Sequence, residues 1–185
     1  MHCVTERQAR QVLAALGDRM KQVGLRLHPA KTRIVYCQAR WRRGSYEHTS
    51  FTFLGFTFRQ RCAKGRNGQT FMRFLPAISK DAQKKISQEV RSWRIHRQIG
   101  LAFAELARRI NPPVAGWMHY YGRFYRSALY PLLARINAYL VQWLRKKYKR
   151  LAGLKKALQS LAGAATRYPR LFVHWQWTTS ASLTW

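Results

Sequence analysis

Acidic side chains are scarce here: six Asp and Glu stand against 35 Lys and Arg in 185 residues, a formal charge of +29. So few carboxylates cannot neutralise the cations internally, so the protein needs an external polyanion, and nucleic acid fits better than an acidic protein or a membrane surface. The same scarcity bears on catalysis. Two-metal transfer needs carboxylates that converge on paired ions, whereas Glu6, Asp18, Glu47, Asp81, Glu89 and Glu105 are scattered, with no D-D, D-x-D or E-x-x-H. G-x-S-x-G, a Walker loop and a Cys/His nucleophile pattern are also missing. Cysteine is sparse and odd in number. Cys3, Cys37 and Cys62 have no C-x-x-C spacing, which excludes a disulfide framework and a zinc ribbon and leaves them as small buried or half-buried residues. The six histidines complete no metal-ligand pattern. No run approaches the roughly 18 apolar residues of a membrane span, and no signal-peptide pattern opens the chain, so a cytoplasmic protein without membrane partners is expected.

What is present argues for a folded chain: 47% hydrophobic and 14% aromatic residues suffice for a core. Thr5-Glu6-Arg7-Gln8 reads as a capping box opening a helix whose Ala9, Val12, Leu13, Leu16, Met20 and Val23 recur at helical spacing, with Gly24 as its stop. Thr32–Cys37 alternates as a strand, residues 38–50 read as a basic loop, and strands are expected at Phe51–Arg59 and Thr70–Leu75. Asn67-Gly68 marks the hairpin between the last two, and the parity change of the phenylalanines around Gly55 predicts a bulge. After Ser79 the pattern is helical throughout. Ser79 reads as an N-cap for a helix with Ala82, Ile86, Val90 and Trp93 inward and Lys80, Lys84, Gln88 and Arg91 on another face. A helix over Leu101–Ile110 is expected to end at Asn111, which would cap a new one opened by Pro112 and carrying Val114, Trp117, Met118, Tyr121 and Tyr125 on one face. Ser127 reads as the cap of the longest helix, with Leu129, Leu132, Leu133, Ile136, Leu140 and Leu144 as its stripe and a cationic end over Arg145–Arg150. A last short helix is expected over Leu154–Ala165.

The cations have an order. Arg91, Arg94, His96 and Arg97 leave the first of these helices, Arg108 and Arg109 precede Pro112-Pro113, Arg123 and Arg126 follow an aromatic cluster, and Arg145, Lys146, Lys149 and Arg150 close the long helix. Each run alone reads as a solvated face, but the net charge of the set favours one broad RNA-binding surface. Trp117 and Tyr121 share the apolar stripe and read as core, while Tyr120, Arg123 and Phe124 point elsewhere and are candidates for stacking on bases.

These blocks, in this order, resemble the C-terminal part of group II intron-encoded reverse transcriptase/maturase proteins. Gly24-Leu25-Arg26-Leu27 with Lys31-Thr32 is similar to the late palm block, and Phe53-Leu54-Gly55-Phe56 to the block after it. Leu106–Tyr121, with Asn111-Pro112, Gly116-Trp117 and Tyr120-Tyr121, resembles the maturase-specific domain, also called domain X or thumb. Leu171-Phe172-Val173-His174-Trp175 resembles the downstream end of bacterial members. The Tyr-x-Asp-Asp motif of the family is not in this sequence, Met1-His2-Cys3 resembling the strand that leaves it. The Cys-pair and His pattern of the endonuclease is also missing, and the likeness ends after Trp175.

The resemblance implies an α+β chain: a palm remnant of one helix and about three antiparallel strands over 1–76, a helical maturase domain over 79–152, and an extension over 153–185. It implies binding of group II intron RNA or other structured RNA, support of splicing, and contact with a template-primer duplex, with Lys31 and Lys84 joining the cations above. It implies no polymerase site and no cofactor, Mg2+ entering only in a full-length or complemented polymerase. Two other expectations are a subunit completing a split RNA-directed DNA polymerase and a non-functional truncated mobile-element product. The sequence leaves the oligomeric state open.

Overall fold

The computed structural model describes residues 1–38, 46–65 and 67–178. The protein is α+β, with a three-stranded antiparallel sheet preceding a helical region. Strands β1 (Phe51–Phe53), β2 (Phe56–Lys64) and β3 (Thr70–Ile78) pair in sequence order. The chain divides into two compact units, Met1–Phe51 with Arg59–Phe74, and Thr52–Phe58 with Leu75–Trp185.

In the first unit, helix α1 (Glu6–Gln22) begins at the expected capping box, Thr5 accepting from the Gln8 N–H while the Gln8 side chain accepts from the Thr5 N–H. It ends as Gly24 permits. With φ at 74°, Gly24 lets its own N–H reach the Lys21 carbonyl and the Leu25 N–H reach Met20, the paired bonds of a Schellman stop. The strand expected at Thr32–Cys37 does not form. No ladder runs along its residues among those described, because alternation supplies a face and not a neighbouring strand. Tyr36 instead donates its N–H to the His48 carbonyl and stacks its ring on Tyr46 at 3.8 Å. Most of the expected basic loop, 39–45, lies outside the described residues, as do Arg66 of the second hairpin and the divergent end after 178.

A second correction concerns Phe51–Arg59, which is two strands and not one bulged strand. Leu54 and Gly55 both have positive φ, 48° and 77°, so the chain reverses there in a two-residue hairpin turn between β1 and β2. The parity change of the phenylalanines reflects that reversal. In the second unit the turn is tied down at both carbonyls: the Tyr120 hydroxyl donates to Leu54 O at 3.0 Å and the Ser79 N–H to Gly55 O at 2.8 Å.

The second unit holds the main core. Helix α2 (Lys80–Ser92) is capped by Ser79 as expected and buries Ala82, Ile86 and Val90. Helix α3 (Phe103–Tyr121) then runs unbroken through Pro112 and Pro113, where a helix end and a new start were expected. Each internal proline removes a bond and costs about 3 kcal/mol, yet Leu106, Ile110, Val114 and Met118 keep one phase across the pair and are all buried. At roughly 1.5–3 kcal/mol for each fully buried apolar side chain, continuity outweighs the break. Asn111 is therefore no cap. Its side chain instead spans to the C-terminal segment, Nδ2 donating to Leu171 O at 2.8 Å and Oδ1 accepting from the Val173 N–H at 3.0 Å.

Helix α4 (Tyr130–Lys147) is central, with Leu133, Ile136, Leu140 and Trp143 fully buried. Ser127 does not cap it. A 3-10 turn over Arg126–Leu129 leads in, Leu129 is the cap residue, and Pro131 sits in the first helical turn, where its missing N–H is not needed. After a 3-10 turn at Lys149–Leu151, helix α5 (Leu154–Arg167) buries Ala157 and Leu161. The segment past α5 returns to the core: Phe172 and His174 are wholly buried, as is nearly all of Trp175, around the 3-10 turn Val173–Gln176.

Asn137 holds that return from α4. Its Oδ1 accepts the Trp175 indole N–H at 3.0 Å and lies 2.8 Å from His174 Nε2, which must carry the proton because the oxygen can only accept. His174 is thus the neutral Nε2–H tautomer, and burial pushes its pKa down to about 3. Unfolded, the same imidazole titrates near 6.5. Between these values the unfolded chain binds the extra proton, so stability is full above about pH 6.5 and falls on acidification, by about 1.4 kcal/mol per pH unit, until pH nears 3. Urea melts across this range should show that slope in wild type and flatten it in His174→Gln; a level wild-type profile would contradict the assignment.

Candidate nucleic-acid interface

The polar face of α2 carries Lys80, Lys84, Gln88 and Arg91, all exposed, while its opposite face is buried. Beyond its end Arg94 adopts left-handed backbone, φ 48°, and turns the chain so that Ile95 inserts into the core. Gln98 fixes this reversal, its amide donating to Trp93 O at 2.6 Å while its own carbonyl accepts the Trp143 indole N–H at 2.8 Å. The 3-10 turn Ile95–Arg97 is thereby pressed against α4, with the His96 ring stacked near Tyr139 at 6.1 Å.

Between α2 and α4 lies a groove of about 410 Å³ lined by Arg91, Arg135, Ala138, Tyr139 and Gln142. Arg135, Tyr139, Gln142 and Lys146 follow one another along α4 at spacings of four, three and four, one outward face of the helix. Lys146 reaches the neighbourhood of His96. The imidazole is held below its ordinary value first by burial and then by the charges of Lys146, Arg97 and Arg94. Arg91, Arg94, Arg97, Arg135 and Lys146 are all exposed. Arg10 pairs with Glu6 and His48 lies 3.9 Å from Glu47, both in the first unit, and none of the cations at the groove has a carboxylate within ion-pair distance among the described residues.

Of the residues singled out in the sequence, Arg91, Arg94, Arg97 and Lys146 thus come together. Arg108 and Arg109 lie exposed on α3, and Arg109 Nη1 donates to Gln98 Oε1 at 3.3 Å, beside the same turn. Others are spread or committed. Lys84 and Arg123 are exposed, Arg126 lies over the Trp177 ring at 4.8 Å, and Arg145 Nε donates to Ala152 O at 2.7 Å, closing the end of α4. Lys149 and Arg150 project from the following 3-10 turn, and Lys31 belongs to the first unit.

Tyr120 and Phe124 pack against the protein on one side only. Tyr120 holds the Leu54 carbonyl, and both rings contact Phe56, at 5.1 and 5.6 Å, although each stays about half exposed. Trp117 stacks on Trp93 at 5.5 Å with planes 5° apart, beside the core as its stripe implied. Arg135, Tyr139 and Gln142 were not among the residues that the sequence singled out. Their spacing is visible there, but the apolar stripe of the same helix is the stronger signal and masks its outer face. For catalysis the described residues offer no cluster of His, Cys, Asp or Glu suited to a metal ion. Glu105 is used to cap α3, accepting from the Ala102 N–H at 2.6 Å.

Residues 83–162 match the family model described as the group II intron, maturase-specific domain. This segment is similar to a maturase-specific domain. No curated protein and no solved structure is significantly similar to the chain. The match takes in α3, α4 and nearly all of α2, and every residue lining the groove falls inside it. The C-terminal segment that Asn111 and Asn137 hold lies past the matched residues yet shares the core of the maturase-specific domain.

Two glycines test this packing in opposite senses. A Cβ on Gly55 would meet the Tyr121 hydroxyl at 2.9 Å on backbone with φ 77°, whereas one on Gly116, inside α3, would meet nothing within 4 Å. Gly55→Ala should destabilise by at least ~1–3 kcal/mol through strain alone. Gly116→Ala should stabilise by roughly 0.5–1 kcal/mol through helix propensity. Denaturant midpoints of the two variants should move in opposite directions.

Proposed function

We propose that the maturase-specific domain binds RNA, group II intron RNA foremost, and supports splicing by holding that RNA in its active fold. The observation that carries this reading is the groove between α2 and α4, where Arg91, Arg135 and the neighbouring Arg94, Arg97 and Lys146 gather with no carboxylate among the described residues to balance them. Cations left exposed at such density repel one another, and a phosphodiester backbone relieves the repulsion while releasing its counterions. Arginine suits the task, since its planar fork matches phosphate oxygens in pairs. A +29 chain also attracts RNA at long range before any specific contact forms.

Filter retention of intron RNA and of an unrelated folded RNA, titrated across salt, tests this. Binding should weaken steeply as salt rises. The double charge reversal Arg91→Glu/Arg135→Glu should weaken binding and reduce the slope of log Kd against log salt by about 2, one for each phosphate that the substituted arginines no longer neutralise. Retention unaffected by salt and by the reversal would refute RNA binding at this groove. Splicing support requires in addition that the same variant slow intron excision at RNA concentrations where wild type accelerates it.

A further inference from the structure

We infer that the groove between α2 and α4 takes an unpaired nucleotide, its base against Tyr139 and Gln142 and its phosphate between Arg91 and Arg135. This rests on the RNA-binding reading of the same site and narrows it. A duplex offers its backbone to a protein and keeps its base faces inside the stack, so a flat cationic face would serve it. Here the cations border a concavity. Its volume, about 410 Å³, is that of a shallow groove open to solvent, large enough to seat a single base and far too small for a helix of paired strands.

The lining has the parts that a base requires. Tyr139 is half-buried and backed by His96, with ring planes 20° apart, so it presents an aromatic surface already held in place. A base stacked on such a surface loses little further freedom from the protein side. Ala138 beside it is small enough to let a flat ring approach. Gln142, one turn along α4 and exposed, makes no side-chain hydrogen bond with the protein among the described residues. Its amide offers a donor and an acceptor side by side, the pattern that pairs with the N6 and N7 edge of adenine. Arg91 and Arg135 come from different helices and flank the base site, one on each wall.

The full chain titrated with labelled oligoadenylate, oligouridylate and a blunt RNA duplex decides the matter. Tyr139→Ala should weaken oligoadenylate binding about fivefold to 150-fold, the worth of one base–aromatic stack, and change duplex binding by less than about twofold. Tyr139→Phe should bind as wild type does. Gln142→Ala, at an exposed position where folding is not at stake, should weaken oligoadenylate severalfold and leave oligouridylate unchanged. Retained duplex binding serves as the control for folding. Equal losses on single strand and duplex, or no loss in either the Tyr139→Ala or the Gln142→Ala variant, would overturn the inference while leaving RNA binding intact. Wild type that binds none of the three RNAs would remove the broader reading as well.

Discussion

Burial of one face of α4 is the constraint from which the second unit is built. Leu133, Ile136, Leu140 and Trp143 are wholly enclosed, and α2, α5, the Ile95–Arg97 turn and the Lys149–Leu151 turn all pack against this helix. Because a helix has two sides, enclosing these residues fixes what the other side displays. Arg135, Tyr139, Gln142 and Lys146 are outward as a direct consequence, and α2 and its following turn bring Arg91, Arg94 and Arg97 up to them. The apolar core and the cationic groove are thus two results of one packing decision.

A shortage of carboxylates shapes how the rest is held. With so few acids, the second unit is cross-linked by neutral groups. Gln83 ties α2 to the Ala128 carbonyl, Gln98 links the Ile95–Arg97 turn to Trp93 and Trp143, and Asn111 and Asn137 clasp the C-terminal segment. Amides serve where ion pairs would otherwise neutralise the surface. Arg109, Arg145 and Lys147 hold neutral oxygens of the second unit, while Arg91, Arg94, Arg97, Arg135 and Lys146 are left exposed to solvent and to whatever anion arrives.

Much of the fold was legible because local chemistry and packing agreed. The capping box at Thr5, the Gly24 stop, the Ser79 cap, the stripes of α2 and α4 and the Asn67-Gly68 hairpin all express local rules, and in α2 and α4 the core reinforces them. The failures came where a long-range contact overrode a local rule. Pro112-Pro113 should have ended a helix, but the stripe from Leu106 to Met118 carried it through. Thr32–Cys37 had the alternation of a strand, but Tyr36 is held by the His48 carbonyl and the Tyr46 ring, and no ladder runs along the segment among the described residues. The Leu54-Gly55 turn looked like a bulge because the tie that stabilises it, the Tyr120 hydroxyl, comes from 66 residues away. The site was legible in part: the arginines of the α2 end stood out as a run, whereas Arg135, Tyr139 and Gln142 are ordinary residues until α2 lies beside them.

By itself the sequence determined the charge, the acid-poor chemistry, the α+β order of elements and the family of the central domain, since each of these is written in composition or in residues near one another along the chain. Tertiary structure alone decided which cations meet, that Tyr120 and Phe124 lean against Phe56 while staying half exposed, and that the segment around His174 belongs to the core. Those outcomes depend on side chains tens of residues apart reaching one place. No local pattern encodes that distance; only the burial of shared apolar faces does.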